Sequence, residues 1–242
     1  MYTKYTFQDW QQARNKPEMV GIIVSDYKAS PDFQYAVTAS AYFAGDNVEV
    51  MRKVMLKLDS VKDSTGETKA INKEVVGNRV ASNFFSRFVI QQNQYLLGNG
   101  VQLKDKAQKD KLGKAFDTAL QQIGENAIVQ GVCFGFWNLD HMEVIKAAAD
   151  ARSGFAPLYD EETGALKAGI QFWQIDEQKP MYYRLFEVDG ITEYKRVDQK
   201  ITETAKKRGY VTKLRKDAVS TEAIGERNYS ALPVIPFYAN SL

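Results

Sequence analysis

Val132-Cys-Phe-Gly-Phe-Trp137 marks the point where the chain changes its period. Val132, Phe134 and Phe136 alternate with Cys133, Gly135 and Trp137, the two-residue repeat of a strand. Before this point the apolar residues recur at three and four. After it, Met142 to Ile145 is a short strand candidate. Ile170 to Ile175 and Met181 to Val188 read as strands joined by a hairpin over Asp176–Pro180. Asp189-Gly190 then turns into a third strand from Ile191 to Val197. Helices first and strands afterwards make an α+β fold, with the three strands forming an antiparallel β meander.

On the N-terminal side, Thr6 to Lys16 is weakly helical around Phe7, Trp10 and Ala13 and stops before Pro17. Ser30 is an N-cap with Pro31 at the first helical position. Phe33, Val37, Ala41 and Ala44 share one face of that helix, and Gly45 sits where a left-handed C-cap is wanted. Asn47 to Leu58 reads either as a strand or as a short helix, and Asp59 to Lys69 as an exposed loop. Lys73 to Leu97 is the strongest helix. Val76, Val80, Ala81, Phe84, Phe85, Phe88, Val89 and Leu96 make a broad apolar stripe, with Arg79, Asn83 and Arg87 opposite. It forms a spine about 37 Å long at about 1.5 Å per residue. The width of the stripe predicts that Phe84, Phe85 and Phe88 pack against the next helix, Ala107 to Ile123, and against the strands. Glu125 to Gln130 is a short helix or a continuation.

The 242 residues are 44% hydrophobic and 12% aromatic, enough for a substantial core. With 32 basic and 30 acidic residues the net charge is +2, which gives no global nucleic-acid signature. The single cysteine, Cys133, and the single histidine, His141, support neither a disulfide framework nor a three- or four-ligand zinc site. The first residues lack the apolar core of a signal peptide, and no uncharged apolar run approaches the roughly 18 residues of a membrane helix, so the reading is an intracellular soluble chain with no membrane partner. No phosphate loop and no nucleophile elbow are present, so no cofactor is expected.

Four features are open to more than one reading. Asp160-Glu-Glu162 suits either a magnesium site or a tight exposed turn. Trp137, Phe172, Trp173, Tyr182, Tyr183 and Phe186 suit either a base-stacking platform or the inner face of a sheet. His141 beside Asp140 reads as a turn residue or as an acid–base group. Lys206, Lys207, Arg208, Lys213, Arg215 and Lys216 carry no intervening acid, and read as a solvated loop or as a contact to DNA phosphates.

The order of several pieces is more specific. Ala41-Tyr-Phe-Ala-Gly-Asp46 is followed by Asn78-Arg-Val-Ala-Ser-Asn-Phe-Phe-Ser-Arg87 and Gln91-Gln-Asn-Gln-Tyr-Leu-Leu-Gly-Asn-Gly-Val101. Then come Leu112-Gly-Lys-Ala-Phe-Asp117, Ala127-Ile-Val-Gln-Gly131, Phe155-Ala-Pro-Leu-Tyr-Asp160 and the closing Leu232-Pro-Val-Ile-Pro-Phe-Tyr-Ala-Asn240. In this order they resemble the portal proteins of tailed bacteriophages, the family typified by Bacillus siphophage portals, from about Ser30 to Asn240. The resemblance implies a wing-like fold with an N-terminal arm over 1–29, a helical part over 30–131 and a strand-rich part over 132–242. It implies a structural, non-catalytic protein of the virion: a subunit of a cyclic homo-oligomer, usually a dodecamer, at the portal vertex of the capsid, formed in the host cytoplasm during assembly. Its partners would be the terminase packaging motor, capsid and neck proteins and, non-specifically, double-stranded DNA. The stem, clip and crown of such proteins would follow Leu242, so the sequence reads as a truncated prophage product or as part of a longer protein. Val234, Ile235 and Phe237 would then be left exposed, and Arg79, Asn83 and Arg87 would belong to a subunit interface. The other function classes are a metal-dependent nucleic-acid-processing enzyme using Asp160 to Glu162 and a non-catalytic protein-binding module.

Overall fold

The computed structural model describes residues 3–46, 55–62, 68–74, 83–216 and 221–239. Among them are six helices followed, apart from one early hairpin, by antiparallel strands, an α+β fold. The helices are α1 (Phe7–Gln12), α2 (Lys16–Ala29), α3 (Pro31–Ala44), α4 (Phe84–Leu97), α5 (Lys106–Lys111) and α6 (Phe116–Gln130). Strands β1 (Met55–Lys62) and β2 (Thr68–Glu74) form the early hairpin between α3 and α4.

The remaining strands form two sheets and a second hairpin. The larger sheet has the order β10-β9-β8-β7-β6-β5, from β5 (Ala148–Asp150), β6 (Ser153–Tyr159), β7 (Leu166–Trp173), β8 (Met181–Glu187), β9 (Gly190–Val197) and β10 (Lys200–Arg208). The predicted three-strand meander is its centre, with both hairpins where the sequence places them. The smaller sheet has the order β13-β3-β4, from β3 (Val132–Asn138), β4 (His141–Lys146) and β13 (Val234–Tyr238). Strands β11 (Val211–Lys216) and β12 (Thr221–Arg227) pair as a hairpin.

Strand β3 explains how the layers stack. Its even residues Val132, Phe134 and Phe136 turn toward the larger sheet, where Phe134 meets Phe155 with ring centroids 4.4 Å apart and Phe136 meets Phe186 at 5.1 Å. Gly169 of β7 makes room for this contact, because a Cβ there would lie 2.1 Å from the Phe155 ring. On the other side of β3, Cys133 joins Ile123 and Ala127 of α6, Met142 and Phe237. Alternation therefore buries both faces of one strand. The opposite face of the larger sheet is covered by α1 to α3, where Tyr27, Phe33 and Phe172 form an edge-packed cluster with Tyr27 5.2 Å from Phe33 and 6.2 Å from Phe172.

Several expectations change. Pro17 does not end a helix but begins one: Asn15 accepts the Glu18 N–H as N-cap, Pro17 sits in the first turn, and Val20, Ile23, Val24 and Tyr27 form the buried stripe of α2. Asn47 to Val54 lie outside the described residues. Leu56 to Leu58 are strand, and the expected loop at 59–69 contributes to the β1–β2 hairpin at both of its described ends. The spine helix is shorter than its pattern, because Lys73 and Glu74 pair with β1. Val76, Arg79, Val80 and Ala81 lie outside the described residues. α4 starts after Asn83, whose side chain accepts the Ser86 N–H. The helix expected from Ala107 to Ile123 breaks at Gly113, which takes φ 81°, a conformation that glycine adopts without Cβ strain. α6 continues through Glu125–Gln130 without interruption.

Two burial expectations also change. Phe84, Phe85 and Phe88 do not enter the core, because α4 rests on α6 through Val89 and Asn93. Nor is the final apolar segment a bare edge. β13 pairs with β3, Val234 is buried between the sheets, Phe237 packs on the α6 side, and only Ile235 of the three is exposed.

Candidate assembly and nucleic-acid contact surfaces

The basic segment folds as strand rather than loop, and its charges are unequally available. Lys207 reaches Glu187 at 2.8 Å and Asp189 at 2.6 Å. Partial burial pulls its ammonium down, but the hydrogen bonds and charges of those two carboxylates outweigh it, and the net shift is upward. Arg208 lies 2.9 Å from Glu193, a carboxylate that also holds Arg184 at 3.2 Å. Lys206 is exposed and has no ion-pair partner among the described residues. Lys213, Arg215 and Lys216 lie on β11, where Arg215 is in register with Glu222 of β12. A phosphate approaching Lys207 or Arg208 has to compete with these carboxylates.

Of the expected interface triad, Arg79 is outside the described residues. Asn83 is the N-cap of α4 and also donates to the Phe43 carbonyl at 3.4 Å, so it acts locally. Arg87 is exposed on the helix. The more prominent surface was missed as such. Phe84 is 58% exposed, Phe88 65% and Tyr95 89%, with Phe85 and Leu96 also exposed. Phe84 and Phe88 stack on each other at 6.4 Å. At about 100° per residue, Phe84, Phe88 and Tyr95 fall within an arc of roughly 40°. The sequence signal was present, since an apolar stripe wider than one packing partner needs a second.

The acidic turn is closed on itself. Asp160 accepts from the Thr163 N–H at 2.9 Å, the Thr163 hydroxyl at 2.7 Å and Gln8 Nε2 at 2.9 Å. These bonds, the Thr163 hydroxyl foremost, hold its carboxyl below the ordinary range. Glu161 accepts from the Thr6 hydroxyl at 2.6 Å, and Gly164 closes the turn at φ 64°. The carboxylates thus tie α1 to the β6–β7 connection. Among the described residues no group of three or more His, Cys, Asp or Glu converges in a way that could hold a metal.

His141 lies on the surface with Nδ1 3.0 Å from Asp140 and Nε2 3.5 Å from Glu143, and the bond to Asp140 leads in raising its pKa. Cys133 is fully buried, and burial pushes its thiol up to about 12, away from thiolate chemistry. Phe172, Tyr183 and Phe186 are core residues, and Trp137 is half-buried. On the Phe186 face of the larger sheet Trp173 and Tyr182 stack at 5.8 Å, with Arg184 over the first ring and Lys195 over the second.

Gln130, which the sequence reading passes over, is a buried positioning group. It donates to the Ala148 carbonyl at 2.8 Å and the Ser40 hydroxyl at 2.9 Å, and it accepts the Ala148 N–H at 3.2 Å. One amide therefore fixes α6, α3 and edge strand β5 together. Asn93 works similarly between α4 and α6, donating to the Gln121 carbonyl at 2.9 Å.

These are the surfaces and pins of a scaffold: paired charges, buried amides at two helix junctions and one helix with an exposed aromatic face. A family model described as "Phage portal protein, SPP1 Gp6-like" matches residues 24–241. The chain belongs to this phage portal protein family. No curated protein matches it. The matched span begins within α2 and runs past the end of β13, so it takes in both sheets, the last part of α2 and all the later helices, but not α1. Portal proteins of this family are structural components of the virion at a capsid vertex, arranged as oligomeric rings, and are in general not enzymes. No helix among the described residues is long and apolar enough to cross a membrane.

Proposed function

We propose that the chain is the ring-forming portal subunit through which phage DNA is packaged and ejected, and to which the packaging terminase and the neck proteins dock. The observation that carries this reading is the family match across residues 24–241. The exposed aromatic face of α4 supports it, because a ring subunit has to offer apolar surface that a solitary domain would cover. The chain itself carries out no catalysis in this reading, and the energy for packaging comes from the terminase. Its Asp160 and Glu161 carboxylates are engaged in holding α1, which is a structural task. The ring assembles in the bacterial host cytoplasm and then stays in the virion. Lys206 and the β11 cations Lys213, Arg215 and Lys216 supply a weak, sequence-independent contact to DNA or to a neighbouring subunit. Repetition around an axis turns a modest patch into a band of positive potential.

Immunogold labelling of particles from the phage or prophage that encodes the chain tests this. Label at one vertex per capsid is the expected result. Label spread over the capsid faces, or particles without label, would contradict it.

A further inference from the structure

The aromatic face of α4 and an open groove between α2 and the β9–β10 hairpin lie at opposite edges of the larger sheet. α2 reaches β10 at one edge. α4 touches α3 and α6, and α3 in turn packs on β5, the other edge strand. The groove is lined by Asn15, by α2 as far as Ala29 and by residues 196–203 of the hairpin. Its apolar floor is Ile22, Val197 and Ile201, of which Ile22 is 42% and Val197 50% exposed. Around that floor stand four carboxylates, Glu18, Asp26, Asp198 and Glu203, against Arg196 and Lys200. α4 carries Arg87 and no acidic residue. Each of the two helices has 14 residues, so each presents about 21 Å of length at about 1.5 Å per residue.

We infer that α4 of one copy of this chain seats in the α2/β9–β10 groove of the next copy. A ring of identical subunits requires a head-to-tail contact between two different patches, and two patches at opposite edges of one molecule satisfy that requirement. A patch that paired with itself would stop at a dimer. Phe84, Phe88 and Tyr95 form the inserted ridge, Ile22, Val197 and Ile201 the receiving surface, and Arg87 meets the acidic rim. The inference rests on the portal reading for its choice of occupant, a second copy of this chain.

Cross-linking of the full chain with a short bis-maleimide tests it. Cys133 is buried and stays silent. Phe88→Cys and Ile22→Cys alter exposed side chains, and Ile175→Cys, 78% exposed on the β7–β8 connection, is the control. A mixture of the Phe88→Cys and Ile22→Cys proteins should give a cross-linked dimer several-fold more abundant than either protein alone or than Phe88→Cys mixed with Ile175→Cys. A chain bearing both Phe88→Cys and Ile22→Cys should give a ladder of higher oligomers. Equal dimer from Phe88→Cys alone would mean that α4 pairs with α4, and would overturn the inference. No cross-link above control in any mixture would overturn it as well. In either case label at a single capsid vertex would leave the portal reading standing, whereas head-to-tail cross-linking without vertex label would sink that reading alone.

Discussion

Gln130 shows how one side chain positions three elements. Its amide satisfies both the N–H and the C=O of Ala148 where edge strand β5 meets α6, and it bonds Ser40 of α3. Replacing it by leucine keeps the side-chain volume but leaves the Ala148 N–H without its acceptor, at about 1–3 kcal/mol, while the Ala148 carbonyl keeps the Ser40 hydroxyl. Gln130→Leu should therefore lower the denaturation free energy by at least one such step and speed hydrogen exchange at the Ala148 amide. Unchanged exchange at Ala148 would show that another group satisfies it. Asp160 gives a pH dependence of definite sign. Its carboxyl is held low by Thr163 and Gln8, so its contribution to stability is present above the ordinary aspartate pKa and is lost as pH falls through the depressed folded value. Acidification below about pH 4 should loosen α1 from the β6–β7 turn. Trp10 is the reporter, since its Nε1–H donates to Glu187 at 2.8 Å. Thr163→Val should move the fluorescence transition to higher pH, and a transition that stays in place would remove Asp160 from the account.

At the scale of elements, α4 carries the largest revision. If its phenylalanines were core, Phe84→Ala would cost about 3–5 kcal/mol. With Phe84 58% exposed, the expected change in chemical denaturation is within about 0.5 kcal/mol, and a loss above about 3 kcal/mol would restore the packed reading. The α3 caps, β3, β4 and the central meander were legible because capping residues and strict alternation are local signals. α2 was not, since Pro17 reads as a stop until Asn15 is seen to cap from outside it. The strand at Thr68–Glu74 was hidden because its pairing with β1 is a tertiary decision that overrides helical periodicity. The basic run was visible as charge. Its partners Glu187, Asp189 and Glu193 were not, since they come from β8, the β8–β9 turn and β9.

For the whole molecule, both faces of β3 are buried, and this binds helices and sheets into one body whose closing strand is the chain's own β13. Among the described residues the aromatic face of α4 is therefore more exposed to a neighbour than the C-terminal segment, and self-association should respond to Phe88 rather than to Ile235. The central claim is that such bodies surround a DNA channel. It is tested most directly by electron microscopy of the assembly released from disrupted phage particles that carry this chain. The account predicts end-on class averages with cyclic symmetry, a central opening and this chain as the repeating subunit. Particles that carry the chain but release it only as monomers or dimers, with no ring bearing it, would contradict the account.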